Sequence, residues 1–492
     1  MTQINGTMMQ YFHWYTPNDG TLWDKVKDDA QHLKEKGFTA IWLPPAYKGM
    51  NGIEDVGYGV YDLYDLGEFD QRDTIRTKYG TREAYLDAVK SIQTAGMQVY
   101  ADTVINHRMG ADEKETVKAR PFAKGDRLNP KGEMHEITAW TEFTFPGRGN
   151  KHSSFKWNWK HFDGVDYNHD KPDDKSTIYL FEDKHFDDYV ALENGNFAYL
   201  MGCDVDFQSQ EVREEMIRWG KWYLDTTGVD GFRLDAIKHI SSWFFPEWLD
   251  AMQRHAGKKL FTVGEYWYSN INTLHWYVDA VAGKMSVLDV PLHYNFHYAS
   301  NSGGYYDMRR ILDNTMMQQR PTHAVTFVEN HDSQPLQSLE ATVESWFKPL
   351  AYALILLRQE GYPCVFYADY YGAEYRDKGR DGNFYNISLD SHSGIIDKFL
   401  YARQNYTYGP QYDYFDHWDI IGWTCLGDEE HPLAMAVIMS DGPGGSKWME
   451  VGKPHAQFMD LTEHIKEPVY TNEWGWGEFR TEGGSVSVWV EV

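Results

Sequence analysis

Val99–His107 reads VYADTVINH, an apolar strand-like run that carries Asp102 and ends on Asn106 and His107. Three later runs have the same design: Asp230–His239, DGFRLDAIKH; Lys259–Trp267, KLFTVGEYW; and Ala324–Asp332, AVTFVENHD. A buried run that stops at an ionisable residue places that residue at the C-terminal edge of its strand, where a parallel barrel builds its active site from separate strands. Asp102, Asp235, Glu265 and Asp332 are therefore expected to converge with Arg233, His107 and His331 on one carboxylate-rich pocket holding a single fixed cation. Such a pocket suits cleavage of a glycosidic bond, in which one carboxylate attacks and a second carboxyl delivers a proton.

Around these runs the patterning alternates. DKVKDDAQHLKEKG places Val26, Ala30 and Leu33 on one helical face and stops at Gly37, and the strand FTAIWLPP follows. Later helical segments include EVREEMIRWGKWYLDTTG, INTLHWYVDAVAG and YYDMRRILDNTMMQQR, each ahead of another apolar run. Eight strands with helices between them predict a (β/α)8 TIM barrel. Between His107 and about Asp206 the alternation lapses for a stretch too long for a loop and too aromatic for a linker, which predicts an inserted domain over the barrel mouth. After about Tyr408 short alternating segments such as LAMAVIMS and GSVSVWVEV predict a C-terminal β-sandwich. The expected division is barrel 1–106, insertion 107–206, barrel 207–407 and sandwich 408–492.

The net charge of −26 disfavours nucleic acid and anionic membranes as partners, and no apolar run is long enough to span a bilayer. Aromatic residues make up 16% of the chain, including 19 Trp and 34 Tyr, which suits a groove that stacks on sugar rings. Cys203, Cys364 and Cys425 are odd in number and widely spaced, as expected of reduced thiols. With no basic-then-apolar leader at MTQINGTMMQ, the expected location is the cytoplasm, the alternative being a secreted protein whose signal peptide lies outside this sequence. A monomer is expected.

DTVINH, GFRLDAIKH, FTVGEYW and ENHD, in this order and with a long insertion after the first, resemble the four signature segments of the α-amylase family of glycoside hydrolases. NGTMMQYFHWY, WLPPAYKG, VGYGVYDLYDLGEF, LDVPLHYNFH and YFDHWDIIGWT extend the resemblance to the bacterial liquefying type and its intracellular relatives. The resemblance implies a retaining endo-hydrolase of α-1,4-glucans such as starch, glycogen and maltodextrins. It implies Asp235 as nucleophile, Glu265 as general acid/base and Asp332 as the third carboxylate. Arg233 would orient Asp235; Tyr58 would stack on the sugar at the cleavage point, with His107 and His331 donating to its hydroxyls. Lys238 and His239 would lie on the leaving-group side, and Trp267, beside Glu265, would also contact substrate. A transglycosylase or branch-point hydrolase shares this chemistry, and a binding-only relative would have lost a member of the triad.

The resemblance also implies calcium between insertion and barrel, held by Asn106, Asp204 and the carbonyl of His239. Asp163 and Asp187 match carboxylates that hold further cations in secreted members. Ala198 and Gln208, however, stand where those members have Asp, so at most one weakened calcium site is expected.

Overall fold

The computed structural model describes residues 5–492. Eight parallel strands close into a barrel: β1 (Met8–Gln10), β2 (Ala40–Leu43), β3 (Gln98–Thr103), β4 (Gly231–Leu234), β5 (Phe261–Gly264), β6 (Ser286–Leu288), β7 (Ala324–Phe327) and β8 (Tyr362–Phe366). Each pairs with its neighbours in sequence, and β8 returns to β1 with Cys364 opposite Met8. The first helix, α1 (Leu22–Lys36), buries Leu22, Trp23, Val26, Ala30 and Leu33 along one stripe. Each such fully buried Leu or Val side chain contributes roughly 1.5–3 kcal/mol. Gly37 ends the helix at φ 114°, where its N–H reaches Leu33 O and an added Cβ would strike Gln404.

The insertion folds as a separate sheet in the order His107–Arg108, Cys203–Val205, Phe162–Val165, Thr177–Phe181, Glu113–Ala123 and Asp126–Pro130, with His135–Glu142 also paired to Glu113–Ala123. The C-terminal part is a six-stranded antiparallel sheet from Gln411–Tyr414 to Ser485–Glu491, facing the ribbon Gly445–Glu450/Trp476–Thr481. The architecture is thus a (β/α)8 barrel with an inserted sheet and a C-terminal β-sandwich. Among the described residues no helix is long and apolar enough to cross a membrane.

Two local expectations need correction. YYDMRRILDNTMMQQR is not one helix but a 3₁₀ turn (Met308–Arg310) and a short helix (Met316–Gln319). Asn314 sits at φ 58°, and the buried Asp289 carboxylate accepts from Met316 N (3.0 Å) and Met317 N (2.6 Å), so a distant side chain starts a new helix inside the pattern. VYADTVINH also stops being a barrel strand at Thr103, and His107 opens a second strand in which it pairs opposite Asp204.

Candidate active site

Register builds the centre of the site. β4 lies against β3 with Arg233 opposite Asp102, and against β5 with Leu234 opposite Gly264, so Asp235 and Glu265 emerge side by side at the barrel's C-terminal edge. Arg233 and Asp235, two residues apart, point the same way. The Arg233 Nη1 donates to Asp235 Oδ1 (2.7 Å) and Asp102 Oδ1 (2.9 Å), while Nη2 forms an ion pair with Glu265 Oε2 at 2.8 Å without the alignment of a hydrogen bond. The Trp42 ring lies under the guanidinium at 5.1 Å. Asp102 also accepts from Tyr58 OH (2.7 Å) and Trp42 Nε1 (3.0 Å). Ala236, at φ 52°, is held in the left-handed region and directs its N–H to Glu265 Oε2 (3.2 Å).

Four carboxyls around one guanidinium cannot all be ionised in a buried site. Burial pushes Glu265 up to about 7, against the pull of Arg233 and with the Asp235 carboxyl adding to the rise. Burial also raises Asp235, and Arg233 is the largest influence opposing it. Asp332 lies well above its usual range through burial and then the Glu265 charge. Burial thus raises both Glu265 and Asp332, and of the two it is Glu265 that shares the Arg233 fork with Asp235.

His331 is neutral, its basicity lowered by burial and by Arg233. Gln10 Nε2 donates to Phe12 O and lies 3.1 Å from His331 Nδ1, which leaves the ring proton on Nε2, 3.3 Å from Asp332 Oδ2. The loop carrying both residues is anchored by Glu329, which accepts from Val343 N (2.6 Å) and pairs with Lys348 Nζ (3.1 Å). Tyr58 stacks on His331 at 5.0 Å and on Trp14 at 6.0 Å. His107, held neutral by burial, gives its Nε2 proton to Tyr58 O (2.8 Å); it fixes the Tyr58 loop and has no second N–H for a ligand. Lys238 Nζ reaches Glu193 Oε1 (2.8 Å) and Trp267 O (3.3 Å), and His239 Nδ1 reaches Phe197 O (2.6 Å). Ile237 N donates to Glu265 O (3.2 Å), tying this segment to the carboxyl centre.

Sequence reading alone assigned no role at the site to Gln10, Trp14, Glu193 and Glu329. Trp14 follows β1 in an aromatic run, which is a usable signal. Glu193 lies in a 3₁₀ turn with no periodicity to mark it.

The chain matches the family described as "Alpha amylase, catalytic domain" over residues 15–398. It belongs to the α-amylase family. An α-amylase of Geobacillus stearothermophilus is 56% identical, over 99% of this chain and 87% of that protein. A cytoplasmic α-amylase of Escherichia coli K12 is 44% identical over 99% of both. Among solved structures, an Anoxybacillus α-amylase shares the fold with a TM-score of 0.65 at 17% identity, covering 100% of this chain and 99% of that one.

In this amylase-family chain the residues expected to hold calcium are partly assembled. Asn106 O accepts from Val205 N (3.0 Å), which brings Asn106 beside buried Asp204. Burial and the nearby Asp187 charge hold the Asp204 carboxyl well above its usual range. Among the described residues no three His, Cys, Asp or Glu side chains form a metal cage by themselves, so a cation here would depend on the Asn106 amide and on carbonyls. Asp163 and Asp187 are buried rather than solvated, and with Asp206 they face the same charge cluster. Gln208 Nε2 donates to Asp187 Oδ1 (3.4 Å), a neutral donor in that cluster. Lys184, unmarked in the sequence, pairs its ammonium with Asp206 and donates to Lys160 O (2.7 Å). These oxygens suit a hard, oxygen-ligated cation, and Lys184 brings a counter-charge to Asp206 in the same cluster. Lys184→Met is expected to cost roughly 2–4 kcal/mol of stability by leaving buried carboxylates without a counter-charge. Urea unfolding with and without chelator checks it; a cost below ~0.5 kcal/mol would show the ammonium does not matter.

Proposed function

We propose that this site hydrolyses internal α-1,4-glucosidic bonds of starch, glycogen and maltodextrins with net retention. The observation that carries the reading is the Arg233 fork, which contacts Asp235 and Glu265 together while burial drives Glu265 towards neutrality. Asp235, kept ionised by Arg233, attacks the anomeric carbon and forms a covalent glycosyl-enzyme. Glu265, protonated, delivers its proton to the departing oxygen and then takes one from the incoming water. Asp332 binds hydroxyls of the reacting ring and offsets its developing positive charge, His331 donates its Nε2 proton to a hydroxyl, and Tyr58 with Trp14 supplies the stacking face. Lys238 and His239 line the leaving-group side, and Trp267, beside Glu265, also contacts substrate.

Calcium, when bound at Asn106, Asp204 and the His239 carbonyl, would supply a structural tie between insertion and barrel. We place the domain boundaries at 1–106, 107–206, 207–407 and 408–492. We take the enzyme to be a monomer; a cytoplasmic setting, with stored or imported glucan as substrate, is supported by the three free, buried cysteines and by the resemblance to the cytoplasmic E. coli protein. Digestion of amylose, pullulan and maltotriose tests the activity. Amylose is expected to shorten internally to mixed oligosaccharides while pullulan persists. Products longer than the donor would indicate transglycosylation, and pullulan cleavage a branch-point hydrolase.

A further inference from the structure

After β8 the chain runs through a short helix (Tyr367–Tyr371) into a two-stranded hairpin, Ala373–Lys378 against Phe384–Leu389, at the barrel edge that carries the active site. We propose that this hairpin is a positioning clamp for the sugar-stacking platform, with Tyr375 and Asp377 acting on substrate through Trp14, an inference that rests on the glycosidase reading above.

The hairpin adds nothing to the core, since none of its strand residues is buried. Glu374, Arg376 and Lys378 are exposed, as are Ser388, Asn386 and Phe384 paired opposite them, while the inner row Ala373, Tyr375 and Asp377 is half-buried. A lone pair of strands is marginal in water, so the order of this one depends on what its inner row touches. That row meets two loops of the active site. Tyr375 stacks on Tyr15 with ring centres 3.9 Å apart, and its hydroxyl donates to Pro335 O (3.0 Å). Asp377 Oδ2 accepts from Tyr15 OH (2.7 Å), which in turn accepts from Gln337 Nε2 (2.8 Å). From the hairpin tip Arg380 Nη2 donates to Ser338 O (3.0 Å).

Both loops lead to groups that serve the reacting sugar. Thr16 N donates to His13 O (3.1 Å) and His13 N to Thr16 Oγ1 (3.1 Å), so Trp14 and Tyr15 share the tip of one tight turn and a shift in one moves the other. Trp14 N donates to Gln334 Oε1 (3.0 Å), and the Trp14 ring lies within 7° of parallel to Tyr58 and within 8° of parallel to His331. The second loop is laced back to the third carboxylate: Leu339 N donates to Asp332 O (3.2 Å) and Ala341 N to Ser333 O (3.1 Å). The hairpin therefore ties the turn that carries Trp14 to the loop that follows Asp332. A displacement of about 1 Å in a group that orients a reacting ring can cost on the order of 10²-fold in rate, which gives a clamp behind the platform its leverage.

The test is a double-mutant cycle in the whole chain, read as kcat/KM on maltoheptaose at a temperature where thermal unfolding shows every variant folded. Tyr375→Ala is expected to lower kcat/KM roughly tenfold and Trp14→Ala at least as much. The double variant should fall no further than Trp14→Ala alone, because a clamp without its platform has nothing to position. Tyr375→Phe keeps the stack on Tyr15 and should stay within about threefold of wild type. Asp377→Ala, which frees the Tyr15 hydroxyl, should likewise lose activity only where Trp14 is present. Losses that multiply in the double variant would mean the hairpin acts independently of Trp14, and an unchanged kcat/KM in Tyr375→Ala would mean it serves stability alone; either overturns the proposal. Wild-type protein that leaves maltoheptaose intact would instead overturn the glycosidase reading and this inference with it.

Discussion

Asp235→Asn is expected to slow turnover of α-glucan by roughly 10⁴-fold or more, because an amide can neither attack the anomeric carbon nor carry the covalent intermediate. That corresponds to at least about 5 kcal/mol of lost transition-state stabilisation. The fold should survive, since Arg233 keeps Asp102 and Glu265 as partners and the amide oxygen can still accept from Nη1. Binding of maltoheptaose, measured by calorimetry, should stay within an order of magnitude of the wild-type value, so that the loss falls on kcat. A variant within tenfold of wild-type turnover would place the attacking group elsewhere.

Glu265→Gln is expected to reduce turnover by on the order of 10²–10⁴-fold, the usual worth of a positioned proton donor. The loss should be smaller on an aryl maltoside whose leaving group needs no proton, which separates an acid from a merely structural residue. The pH profile gives the sign independently. Glu265 is active when protonated and titrates near 7, so wild-type kcat/KM should fall as pH rises through about 7. In Glu265→Gln that alkaline limb should vanish. A limb that persists unchanged would belong to another group.

How far the sequence carries is clear from single residues. GFRLDAIKH announced Arg233 and Asp235 on one face because strand geometry alternates with period two, and that alone puts the cation against the carboxylate. The run FTVGEYW likewise placed Glu265 at a strand end. What it could not show is partnership across distance. His107 and Tyr58 are 49 positions apart, yet the histidine's only proton is committed to the tyrosine carbonyl. Lys184 looks like any loop lysine until the fold sets it against Asp206. Asp289 carries no mark in the sequence, but in space it accepts from the first turn of a helix 27 residues later and breaks the expected helical run there. Local pattern fixes which elements exist; buried polar groups then choose partners that no local period records.

The central claim, that Asp235 attacks and Glu265 protonates in a double displacement, is tested most directly by proton NMR of the first products from a maltooligosaccharide, recorded before mutarotation. The account predicts that the new reducing ends appear first as the α anomer and relax to the equilibrium mixture. β-Anomeric reducing ends as the first product would require water to attack directly and would contradict it.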